Sequence, residues 1–124
     1  MRYLMFIVHK ELGAEARPPQ GLYDAMGEFV GAELASGRLV DTGGLRPSKE
    51  GKPIRSHNGK LTVTDGPFTE AKEIVGGYAV VKVKSAKEAD EVATKFMEIH
   101  RVHWPEFDCT WEMRPIDEPE GPPG

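Results

Sequence analysis

The chain reads as a single α+β domain of order β-α-β, hairpin, β-α-β. This is a ferredoxin-like arrangement with both helices on one side of a largely antiparallel sheet. Three observations predict it: two stretches with apolar residues at helical spacing, an Asn-Gly pair between two short strand-like runs, and an opening strand that is apolar at every position. A chain of 124 residues can bury such a core without help from disulfides or metal.

Tyr3 to Val8 includes the β-branched Ile7 and Val8 and predicts a strand covered on both faces. Pro18 and Pro19 suit the start of a helix. Leu22, Met26, Phe29, Val30 and Leu34 then predict an amphipathic helix over about 21–36, with Gly37 as its C-cap. A short strand over 38–45 ends in Gly43 and Gly44, and RPSKEGKP after it has the composition of a loop. The runs 53–57 and 60–65 flank Asn58-Gly59, the pair that a type I′ hairpin turn favours because both central residues need positive φ.

A long strand follows over 75–83, broken only by Gly76 and Gly77. Ser85 and Glu88 form a capping box for the second helix, whose apolar stripe is Ala89, Val92, Ala93, Phe96 and Met97. The same spacing reaches His100, with His103 three residues on, and Pro105 stops the helix. The last strand, 108–114, places Cys109, Trp111 and Met113 on one face and Thr110, Glu112 and Arg114 on the other. The domain is expected to span 1–116, with 117–124 (DEPEGPPG) a polar, disordered tail.

Two helices cover one face of such a sheet, yet the first strand is apolar on both. A second copy of the chain, packed sheet to sheet, is the expected cover, which predicts a homodimer. The net charge of −4 and pI near 5.6 argue against a nucleic-acid partner. The apolar run at the start is too short to cross a membrane and lacks the features of a signal peptide, and a lone cysteine suits a reducing compartment. The expected location is cytoplasmic.

Candidate site residues come from strand parity and from the histidines. Asp65 shares parity with Leu61 and Val63, which points it to the buried side. There it either serves as an acid or base of raised pKa, or accepts hydrogen bonds from its own backbone in a turn built with Gly66 and Pro67. Phe68 is an expected core or interface anchor, and Tyr78 lies on a possible cleft or interface rim. His9 ends the first strand at the lip of the predicted cleft. His100 and His103 are spaced to share one helix side, but no third ligand completes a metal pattern, so no metal or other cofactor is expected.

The tetrapeptide DGPF at Asp65 to Phe68, followed by TEAKE, by GGY at Gly76 to Tyr78 and by the SAKEADEVA helix, resembles the DGPF group of the YCII-related (YciI-like) family. The resemblance extends from RYLMFIV to TWEMRPI. It implies a dimeric α+β barrel and a small-molecule enzyme or binder built on a histidine and aspartate pair in the dimer cleft. One branch of that family includes a dehydrochlorinase acting on a chlorinated hydroxyquinol, and the DGPF branch tends to be encoded beside extracytoplasmic-type sigma factors. In that pattern a histidine lies on the first helix, where this chain has Leu22, Tyr23 and Asp24.

The functional expectation is a lyase or isomerase in which Asp65 works with His9 or His100, while Gly66, Pro67, Phe68, Tyr78 and His103 contribute to binding a small molecule. The alternative is a non-catalytic binding or regulatory module linked to sigma-factor stress responses, with Asp65 only shaping its turn.

Overall fold

The structure is a computed structural model, and it describes residues 1–13, 16–63 and 73–118. Its elements run β1 (Arg2–His9), α1 (Gln20–Ser36), β2 (Leu39–Gly44), β3 (Ile54–His57), β4 (Lys60–Val63), β5 (Ile74–Lys82), α2 (Ala86–His103) and β6 (Cys109–Pro115). The main sheet has the order β2-β5-β1-β6 with every neighbouring pair antiparallel, and among the described residues β3 and β4 pair only with each other. This is the expected ferredoxin-like α+β arrangement with an inserted hairpin.

Local chemistry sets the boundaries. Gly37 takes φ 80° and its N–H donates to the Leu34 carbonyl, closing α1. Asn58 and Gly59 adopt φ 51° and 78°, the two positive values that a type I′ turn requires. The Glu88 N–H donates to Ser85 Oγ at 3.2 Å, while the Glu88 carboxylate accepts from the Lys84 N–H at 3.4 Å, one residue earlier than a standard capping box. α2 ends at His103, ahead of Pro105. A 3-10 turn over Ser48–Glu50 gives the RPSKEGKP loop a defined centre.

The core lies between the sheet and the two helices. Met5, Val81, Val92 and Phe96 are its fully buried large side chains, each contributing about 1.5–3 kcal/mol by leaving water. Phe96 meets Phe29 edge-on at 4.8 Å and stacks on Trp111 at 4.6 Å. One position departs from the predicted α1 stripe. Leu34 is 48% exposed, and the buried place next to it belongs to Glu33. Residues 22, 26, 29 and 33 follow the core-facing line, whereas Leu34 is turned a further 100° around the helix. The Glu33 carboxylate tolerates that place because Arg38 grips both of its oxygens.

A second departure concerns the hairpin. Ile54, Leu61 and Val63 are 67%, 76% and 63% exposed, so the parity that was expected to be buried faces outward within one chain. The reason is topological, because β3 and β4 form a separate two-stranded sheet rather than an extension of the main one. Asp65 itself, with Gly66, Pro67 and Phe68, lies outside the described residues.

Candidate functional site

β1 delivers its odd-numbered side chains to the helix side of the sheet, and the last of these is His9. α2 delivers Ala89, Val92, Phe96 and, one turn later, His100 to the same side. Both imidazoles are 9% exposed, and both line one cavity of about 370 Å³ bounded by β1, α1, α2 and the loop after β2. That volume suits a small organic molecule.

Each ring is held in the same way. His9 Nδ1 lies 2.6 Å from the Lys10 carbonyl oxygen, and His100 Nδ1 lies 2.8 Å from the Phe96 carbonyl oxygen. A carbonyl only accepts, so each Nδ1 carries the hydrogen and each Nε2 is left as the nitrogen that can exchange a proton. Phe107 joins the two rings: its centroid is 5.0 Å from that of His9, edge to face, and 6.4 Å from that of His100. Trp104 stacks on Phe107 at 4.4 Å, because the turn through Pro105 brings the Phe107 N–H back to the Trp104 carbonyl. These two aromatics form one cavity wall, while Leu22 and Tyr23 line it from α1, where the resemblance would place a histidine. Arg46, paired with Glu50 at 3.1 Å, and Glu11, which accepts a hydrogen bond from Ser48, stand at the rim.

His100 also borders a second cavity of about 490 Å³ with Met97, Arg101, Cys109 and Trp111. Its chemistry is poorer. Burial pushes the Cys109 thiol above its ordinary value, with the Asp108 charge adding to the effect, and Arg101 is engaged by Glu98. The Trp111 indole N–H is buried there and has no hydrogen-bond partner among the described residues.

The remaining candidates are elsewhere. Tyr78 pairs with Phe6 on the sheet face away from the helices, and its hydroxyl donates to Asp41 at 3.0 Å, a bond that raises its pKa. His103 is exposed on the last turn of α2, with its ring over Gly21 at the start of α1. His100 is thus buried at the cavity while His103 stands exposed beside α1, and no group of three or more potential metal ligands occurs among the described residues. No helix among them is long and apolar enough to cross a membrane.

Sequence reasoning missed the aromatic wall and the irregularity in β5. The pairings Ile7 with Gly77 and Val8 with Val75 leave Gly76 as an extra residue, a bulge that brings Ile74 to the cavity side beside His9. The double glycine in a strand was the available signal.

No curated protein matches the chain. The family model for the YCII-related domain matches residues 1–99, from β1 into the last turns of α2. That match spans well over half of the sequence, and the chain belongs to the YCII-related family.

Proposed function

We propose that this protein catalyses proton transfer on a small, largely apolar molecule, as a lyase or isomerase, in the cavity shared by His9 and His100. The observation that carries this reading is the matched tethering of two buried imidazoles by backbone carbonyls at the lining of one cavity, which leaves Nε2 of each ring outside that bond. In this scheme one bare Nε2 takes a proton from the substrate, and the other ring, first protonated by solvent, gives one back from its Nε2. The first ring then returns its proton to solvent, while the aromatic wall holds the apolar side of the substrate. Asp65 enters as a further acid from the sequence argument, with Gly66, Pro67 and Phe68 beside it. Ile74, nine residues after Asp65 in the sequence, lines the same cavity.

The test is solvent hydrogen exchange. The protein is incubated in deuterated buffer with a panel of small cyclic and aryl ketones, and loss of the α-proton signal is followed by NMR. The expected result is exchange well above buffer with at least one compound, falling at least a hundredfold in His9→Gln and His100→Gln variants that retain the native circular dichroism. Exchange unaffected by either variant, or no exchange with any compound, overturns catalysis and favours a binding module.

The active unit in this reading is a homodimer. On the face away from the helices, Leu4 and Val75 are 36% and 42% exposed, with Phe6, Val8 and Val80 half-buried between them. Asp41, Thr110, Glu112 and Arg114 on the edge strands β2 and β6 surround this apolar centre, the layout of an interface core and rim. Light scattering should give twice the chain mass of 13.7 kDa for the native protein and the single mass for Phe6→Glu. A native monomer would remove the dimer from the scheme.

A further inference from the structure

The bulge in β5 puts a glycine against the reactive edge of His9. A Cβ built on Gly76 would lie 2.2 Å from His9 Nε2 and 2.7 Å from Cδ2, far inside van der Waals contact, and 3.5 Å from Cε1. Gly76 is not in the left-handed region, since the described glycines with positive φ are Gly37 and Gly59, so backbone conformation does not call for glycine here. Space does. The Gly76 carbonyl accepts from the Leu45 N–H at 2.9 Å, which holds this segment to the loop after β2 and prevents a simple retreat. On the far side, His9 is fixed by the Lys10 carbonyl and by the Phe107 ring.

We infer that Gly76 is a positioning residue for His9: its missing side chain both seats the imidazole and keeps the approach to Nε2 open to a ligand in the cavity. Any side chain at 76 would displace the ring from the Lys10 carbonyl, releasing the Nδ1–H arrangement, or would cap Nε2 directly. A second glycine in the same strand shows the difference. Gly77 faces the backbone of β2, with a built Cβ 3.0 Å from the Gly43 carbonyl oxygen, and serves strand packing instead. The inference rests on the reading of the His9 and His100 cavity as the site, and it adds a residue that never touches the substrate in that scheme.

The test follows the histidine nitrogens by ¹⁵N NMR in the full chain, with phenol as the probe because its hydroxyl can donate to an unprotonated Nε2. In the native protein both His9 and His100 should show the Nδ1–H form, and phenol should shift both Nε2 signals saturably. In Gly76→Ala the His9 signals should lose that form and their response to phenol should weaken at least tenfold, while the His100 tautomer is retained. A native protein that does not respond to phenol at all would count against the cavity reading itself. A native response that Gly76→Ala leaves intact overturns the role of Gly76 alone. If Gly76→Ala folds poorly, the double variant His9→Ala/Gly76→Ala decides, since removing the ring should restore most of the lost stability. A double variant no more stable than Gly76→Ala would show that His9 is not what the methyl meets, and the inference would fall.

Discussion

Arg38 holds Glu33 in a fork, its Nε 2.5 Å from Oε2 and its Nη2 against Oε1, and so joins the end of α1 to the start of β2. Arg38 also lies 3.8 Å from Glu88 at the start of α2, so one guanidinium ties both helices to the sheet. The Arg38 hydrogen bonds hold the Glu33 carboxyl below its usual value of 4.5, against the opposing effect of burial. A carboxyl lowered on folding stabilises the fold above its unfolded pKa, and that contribution is lost as pH falls through the folded value. Glu33→Gln should therefore cost about 1.5–3 kcal/mol at pH 7 and should flatten the decline in stability below pH 4.5. Urea unfolding at pH 7 and at more acid pH checks this, and parallel acid profiles for both proteins would contradict it.

Phe96→Ala should be the more damaging change in the core. The ring is fully buried and touches rings from α1 and β6, so its loss opens a cavity shared by three elements. The expected cost is about 3–5 kcal/mol, a large part of the 5–15 kcal/mol that holds typical domains together. Equilibrium unfolding in urea measures it, and a cost under about 1 kcal/mol would mean that the site collapses freely.

Asn58→Val should loosen the hairpin and leave the main sheet intact. A β-branched residue at φ 51° is strained by about 1–2 kcal/mol, and β3 and β4 have no other strand partner among the described residues. Amide exchange in residues 54–57 and 60–63 should accelerate by roughly 5- to 30-fold, with β1 and β5 unchanged. Equal acceleration throughout would show that the hairpin is coupled to the core.

Cys109 should alkylate slowly with iodoacetamide at pH 8 and speed up only above the ordinary thiol range. Burial is the main reason its thiol is raised and the Asp108 charge is the lesser one. Asp108→Asn should accordingly raise the rate only modestly, as mass spectrometry of the modified peptide would show. A large increase would reverse the order of the two causes.

Periodicity and turn chemistry carried most of the fold. The stripe from Ala89 to His100, the Asn58-Gly59 turn and the Ser85 cap depend on neighbours in the chain, so they can be read without tertiary information. Glu33 could not be read that way, because its burial depends on Arg38, which reaches back to it only after the chain turns at Gly37. Tyr78 shows a different limit. It and Val75 have opposite parity in sequence, yet both lie on the face of Phe6 and Val8, since one unpaired glycine resets the alternation. For the site, His9 and His100 were legible as the inward ends of a strand and a helix. Their convergence on Phe107 depends on the packing of β1 against α2 and on the turn at Pro105, which no local pattern encodes.

The position of β1 in the sheet also has a kinetic consequence. It is an inner strand bonded on both sides, with Arg2 opposite Lys82 and Tyr3 opposite Pro115. Its two partners are made long after it, so a stretch that is apolar on both faces leaves the ribosome well before either ladder can close. Such late, distant pairings slow folding and prolong the exposure of sticky chain. The strand that delivers His9 to the cavity thus stays without one of its two ladders until β6, at the far end of the domain, has been made.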